Sequence, residues 1–176
     1  MLKKTISMIL LLGIILVFFT GCGQKKDMVI TDTNQTMQIT VPSNLKFENL
    51  PDGNGNYDIG VYSKDKDIYL YINSSINSTT KDIEAIAKED MENNVPTMNG
   101  SRDVSELSKI DIQDYTAYTY HYTYTDGQFN KDYYSQIVWI QAGETVYLMN
   151  IEVNTEQLST YQTTIENIIT SFKVLS

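Results

Sequence analysis

The chain of 176 residues has one histidine, His121, the only side chain whose unperturbed proton affinity lets it serve as acid and base near neutral pH. Catalysis through it would need an acid to orient the ring and a hydroxyl or thiol to activate. The sequence holds no Gly-X-Ser-X-Gly elbow, no Walker-type loop and no dinucleotide-binding glycine pattern. Cys22 is the only cysteine, so a zinc site or a Cys/His pair lacks its ligand set. Asp52, Asn54, Asn56 and Asp58 alternate in a glycine-bearing segment, like the oxygen-rich start of a calcium loop. The EF-hand pattern then asks for glycine and glutamate where this chain has Tyr57 and Ser63. A solvated turn accounts for the same four residues, because Asn, Asp and Gly are the ordinary turn formers. No catalytic residue, cofactor or metal is therefore assigned.

The most unusual segment is Tyr115 to Thr125, in which tyrosine and threonine alternate. On a strand this puts Tyr118, Tyr120, Tyr122 and Tyr124 on one face, and Ala117, Thr119, His121, Thr123 and Thr125 on the other. Tyrosine offers a large rigid contact area at low entropic cost, so the first face could be a binding platform, with Trp139 on a neighbouring strand. The favoured reading is that the rings pack under a helix or against neighbouring strands with their hydroxyls at the rim. Both readings stay open at this level. Tyr69, Tyr71, Tyr133, Tyr134 and Tyr147 also fall in β-prone runs, so part of this aromatic mass must be core.

Cys22 has its own context. Lys3 and Lys4 precede an apolar run from Ile9 to Phe19, and no acid occurs before Asp27, which is the organisation of a signal peptide. The run is too short for the ~20 residues that a membrane-spanning helix requires. It ends in Phe19-Thr20-Gly21-Cys22, which resembles the lipobox of bacterial lipoproteins, where small residues precede an obligatory cysteine. The resemblance implies a diacylglycerol on the Cys22 sulfur and cleavage between Gly21 and Cys22. An ordinary signal peptide cut near a cysteine is the competing reading. A lone cysteine in an exported domain supports the lipid, since disulfides need even numbers.

The expected divisions are a signal peptide over 1–21, a flexible tether over 22–36 and a single domain over 37–176. The first 21 residues carry two bases and no acid, so their loss takes the formal charge from −9 to −11. Such a surface is repelled by nucleic acid and by anionic lipid headgroups, so the partner at the membrane is the lipid anchor. The expected location is the outer side of a cell membrane. Abundant Asn, Ile, Lys and Tyr point to an AT-rich genome and a Gram-positive cell surface.

The elements that must position these residues follow from periodicity. Met37 to Val41 alternates and stops at Pro42-Ser43, as a half-buried strand does. Tyr57–Tyr62 and Ile68–Ile72 read as a hairpin around Lys64-Asp65-Lys66-Asp67. Thr79 stands three residues before Asp82 as in a capping box, and Ile83, Ile86, Ala87 and Met91 then share a helical face. A strand is expected within Val104–Ile112. Tyr115–Thr125, Asp132–Gln141 and Thr145–Val153 form a meander with turns at Asp126-Gly127 and Ala142-Gly143. A last helix opens at Asn154 or Thr155 and carries Leu158, Tyr161, Ile165, Ile168, Ile169 and Phe172 as one apolar stripe, which needs a sheet to cover.

Strands with short antiparallel connections, one helix between strand groups and one at the end, give an α+β domain with helices packed on an antiparallel sheet. The opening Ile39-Thr40-Val41-Pro42-Ser43-Asn44-Leu45, the central helix, the meander and the closing Ile168-Ile169-Thr170-Ser171-Phe172-Lys173-Val174 are together similar to the PsbP-like fold, an α/β/α sandwich. That family takes its name from an extrinsic subunit of photosystem II and includes many lipoproteins. The resemblance implies an accessory or binding module for a protein partner or a small ligand rather than an enzyme. A hydrolase or transferase using His121, and a structural envelope protein or auxiliary subunit of a membrane complex, are the alternatives.

Overall fold

A computed structural model describes residues 27–50, 57–76, 82–128 and 130–175. The signal peptide, Gly21 and Cys22, the turn residues Asp52, Asn54 and Asn56, and Thr79 of the expected capping box lie outside the described residues.

Alternation over long runs builds the larger sheet. β7 (Tyr115–Asp126), β8 (Lys131–Ala142) and β9 (Thr145–Asn154) pair antiparallel in an unbroken register, from Thr116 opposite Gln141 to Asp126 opposite Lys131, and from Tyr133 opposite Asn154 to Ala142 opposite Thr145. The β8–β9 turn is Gly143-Glu144, and Gly143 takes φ +64°, a backbone conformation open to glycine at little cost. β5 (Ile68–Ile76) docks on the far side of β9, followed outward by β4 (Ile59–Tyr62) and β3 (Glu48–Asn49), while β6 (Ser108–Ile112) closes the other edge beside β7. The sheet has seven strands among the described residues, and all its pairings are antiparallel.

Each face takes a helix. The Ala117, Val138, Ile140, Met149 and Ile151 face packs against α2 (Leu158–Thr170) through Ile165, Ile168 and Ile169. Over the same face lies a small sheet of β1 (Met28–Thr31), β2 (Met37–Val41) and β10 (Lys173–Val174), whose Met37, Ile39 and Val41 are fully buried. The opposite face of β7 and β8 is covered by α1 (Ile83–Asn94). The result is the expected α+β sandwich with helices on an antiparallel sheet. No described helix is long and apolar enough to cross a membrane.

Several boundaries differ from the sequence reading, each for a local reason. The stretch expected as tether over 22–36 contributes a strand, because Met28–Thr31 pairs with β2 and Asp32 locks the turn between them. The Asp32 carboxylate accepts from the N–H groups of Asn34, Thr36 and Met37 and from the Thr36 hydroxyl at 2.7–3.1 Å. α1 is capped by Asp82 itself, whose carboxylate accepts from the Glu84 N–H. The strand expected within Val104–Ile112 occupies Ser108–Ile112. The β4 strand starts at Ile59 rather than Tyr57, and β5 runs on to Ile76 beside β9.

Candidate functional site

The tyrosine row of β7 divides where α1 ends its cover. Tyr120 and Tyr122 are 2% and 6% exposed and form a second core with Val95 and Ile137, against which Met91, Trp139 and Leu148 pack. The polar ends of Tyr118, Tyr120 and Trp139 are satisfied from the helix above, and the Tyr122 hydroxyl is paired with Ser135 of β8. Asp90 of α1 accepts from the Tyr120 hydroxyl at 2.6 Å and from the Trp139 indole N–H at 2.9 Å, and Glu84 accepts from the Tyr118 hydroxyl at 3.0 Å. Burial, then the hydrogen bond to Asp90, pushes the Tyr120 hydroxyl far above the ordinary tyrosine value, so it stays a donor. Of the residues offered as a platform, Tyr120 and Tyr122 are thus buried, Trp139 is half-buried, and Tyr118 is half-exposed beside Glu84. Tyr124 packs at the edge of the same cluster and stacks on Tyr133, centroids 5.9 Å apart.

The other face of the same strand holds His121. It lines a groove of about 490 Å³ between α2 and strands β6 to β8. Ile110 and Ile112 of β6 and Leu158, Ile165 and Ile169 of α2 form the apolar walls. Thr119, His121, Tyr134 and Gln136 give the sheet side a short row of polar groups. That row is tied together internally. The Tyr134 hydroxyl donates to Gln136, the Gln136 amide donates to the Thr119 hydroxyl, and Thr119 donates to the Ile137 carbonyl at 2.7 Å. Burial pushes the Tyr134 hydroxyl up to about 12.

His121 is half-buried and lies tilted on the Tyr134 ring at 5.1 Å. Burial lowers its proton affinity, and the more distant Asp103 opposes this in part, so the imidazole is neutral at pH 7. No carboxylate among the described residues hydrogen-bonds to the ring, and the nearby hydroxyls of Thr119 and Tyr134 are committed elsewhere. An oriented base with an activated nucleophile is not assembled here. What the groove can do is take up an apolar body and offer one or two hydrogen bonds at its floor.

Of the four turn residues weighed for calcium, Asp58 alone is described. Its carboxylate accepts from the Ser74 N–H and hydroxyl, fastening the entrance of β4 to β5. Among the described residues no group of three or more His, Cys, Asp or Glu side chains could hold a metal ion.

No protein-family model matches the sequence, and no curated protein sequence matches it. Solved structures do. The cyanobacterial PsbP protein CyanoP of Synechocystis superposes with a TM-score of 0.61 at 13% identity, covering 88% of this chain and 96% of its own. The described residues share the fold of that PsbP protein. LpqN of Mycobacterium tuberculosis, involved in cell envelope biogenesis, superposes at 0.55 with 12% identity over 86% of this chain and 91% of its own. The Ran-binding protein Mog1p of Saccharomyces cerevisiae does so at 0.51 with 10% identity over 85% and 96%. At such identities the PsbP-like fold is what is shared.

Within this fold, sequence reasoning placed the aromatic rows but missed the groove. A signal was present. An apolar stripe on the last helix should meet an apolar strand face, yet the face of β7 opposite the tyrosines reads Thr119, His121, Thr123. That mismatch marks where helix and sheet separate, and α2 indeed leaves the groove over Thr119 and His121.

Proposed function

We propose that this chain is an exported lipoprotein, held through a lipid on Cys22 at the outer side of a cell membrane, whose PsbP-like domain is a non-enzymatic binding module for a small amphipathic ligand. The carrying observation is the groove between α2 and β6 to β8, with apolar walls and a hydrogen-bonding floor around His121. Its volume lies within the range usual for small-molecule sites, roughly 300–1,000 Å³. The lack of an acid on His121 weighs against catalysis. Two neighbours in fold, a protein involved in envelope biogenesis and a Ran-binding protein, support a binding or accessory role outside catalysis.

The test uses the mature chain with Cys22→Ser, which keeps the protein soluble, and a neutral environment-sensitive probe such as N-phenyl-1-naphthylamine. Bound probe should be released when Ile110→Glu puts a charge in the groove wall, with a loss of affinity of about tenfold or more. Turnover of ester substrates that vanishes in His121→Ala would overturn the reading in favour of a hydrolase. Probe binding unchanged by Ile110→Glu would show that the groove is not the site.

A further inference from the structure

The face of the large sheet opposite the groove carries a half-buried carboxylate without a basic partner. Glu152 of β9 stands opposite Tyr69 of β5 and Ser135 of β8 in the strand registers. Tyr71 from β5, Tyr124 from β7 and Tyr133 from β8 complete a ring of aromatic walls around it. The rings support one another: Tyr124 stacks on Tyr133 at 5.9 Å, and Tyr133 meets Tyr69 edge-on at 6.2 Å. The Asn150 amide donates to Glu152 Oε1 at 3.2 Å, and the Tyr124 hydroxyl is its second donor. No lysine or arginine among the described residues forms an ion pair with it.

Two hollows meet at this carboxylate. One of about 190 Å³ is lined by the four tyrosines together with Asp126 and Glu152. The other, about 310 Å³, lies on the far side of Tyr71 and Glu152 and is walled by Tyr57, Asn73, Leu148 and Asn150. Tyrosine faces carry negative quadrupole density, and a half-buried carboxylate among them is only partly screened by water. An anion is repelled from such a place, and a neutral apolar group gains nothing from Glu152. A metal ion wants several oxygen ligands, and no such group of acids is present among the described residues. A soft cation with an apolar coat satisfies both the ring faces and the charge.

We propose that this face binds a small organic cation, an alkylammonium or quaternary ammonium, with its charged head against Glu152 among Tyr69, Tyr71, Tyr124 and Tyr133 and its remainder in the larger hollow. The smaller hollow is below the size of a whole drug-like site and matches a head group. Loss of water pushes the Glu152 carboxyl above its ordinary value in the empty protein, and Asp126 adds to this, whereas Asn150 and Tyr124 oppose it. A bound cation supplies the missing counter-charge.

The experiment titrates the mature Cys22→Ser chain with choline, with tetramethylammonium and with 3,3-dimethylbutan-1-ol, the neutral isostere of choline, by calorimetry and by the ¹³C carboxyl shift of Glu152. Choline and tetramethylammonium should bind about tenfold or more tighter than the neutral isostere, and Glu152→Gln should abolish that preference. The Glu152 carboxyl signal should move to its ionised position on binding. Should Glu152→Gln fail to fold, Tyr69→Leu, at the wall of the smaller hollow, must weaken the cations and spare the isostere. Equal binding of choline and its isostere, no binding of either cation, or a preference that survives Glu152→Gln would overturn the proposal. The apolar probe in the groove lies on the opposite face of the sheet, so its behaviour reports separately on the proposed function.

Discussion

Glu152 and His121 are both held away from their ordinary values, and each makes a testable difference. Glu152 is half-buried among tyrosines, and the partial loss of water gives its folded carboxyl a higher proton affinity than in the unfolded chain. The folded state therefore binds the extra proton, and the stability this confers is complete below the unfolded value and is lost as pH rises through the folded one. Glu152→Gln removes the charge and keeps the shape. It is expected to be more stable than the parent at pH 7, by about 1–3 kcal/mol, the range for relieving a poorly satisfied buried polar group. The advantage should shrink as pH falls into the ordinary carboxylate range, which denaturant melts at several pH values check. His121 behaves in the opposite sense. Burial lowers its affinity and Asp103 partly restores it, so its NMR titration should fall below the ordinary histidine midpoint, and Asp103→Asn should lower it further. A midpoint at or above the ordinary value would mean that the groove around the ring is open to water.

At the scale of elements, α1 is tied to the sheet by one acid serving two donors. Asp90→Ala leaves the 2%-exposed Tyr120 with an unsatisfied hydroxyl and frees the only tryptophan, Trp139. We expect a loss of about 1–3 kcal/mol, with a change in tryptophan emission in the native state. The β1–β2 hairpin rests on Asp32, where burial would raise the carboxyl but the N–H of Met37 and the donors of Thr36 and Asn34 prevail and lower it. Its contribution is present above the unfolded value and is lost as pH falls through the folded one. Asp32→Ala is expected to cost roughly 2–3 kcal/mol near neutral pH and much less at pH 2, as amide exchange in β1 and thermal melts would show. These two acids also show what could be read in advance. The meander, both helices and the α+β class followed from alternation and helical spacing, because those periods are local properties of the chain. The role of Asp90 was not legible, since it joins residues 30 and 49 positions away. β1 was missed because four residues before a Thr-Asp-Thr-Asn turn look like a polar tail until β2 supplies their partner. The cluster at Glu152 likewise draws on β5, β7, β8 and β9, whose neighbourhood depends on β5 crossing to β9.

For the whole molecule, the strand at Met28 changes what an anchor on Cys22 would mean. The tether read from the sequence spans 15 positions, 22–36, but the folded part already begins at Met28. About six residues then join lipid and domain, which at ~3.4 Å each hold the domain within roughly 20 Å of the headgroups. The domain itself offers no attraction for that surface, since the formal charge after loss of residues 1–21 is −11 and like-charged lipids repel it. On the proposed anchor, attachment comes from the acyl chains, whose buried methylenes contribute about 0.8 kcal/mol each and are insensitive to ionic strength. The described core is assembled from residues from Met28 onward. Cys22→Ser should therefore move the protein wholly to the soluble fraction while leaving the melting temperature of the domain unchanged. The wild-type protein should stay with membranes in 1 M salt, a concentration that shortens the Debye length to about 3 Å and strips proteins held by charge. A Cys22→Ser protein that remained on membranes, or a wild type released by salt, would mean that the domain is held by a protein or ionic contact instead, and the lipid anchor would have to be abandoned.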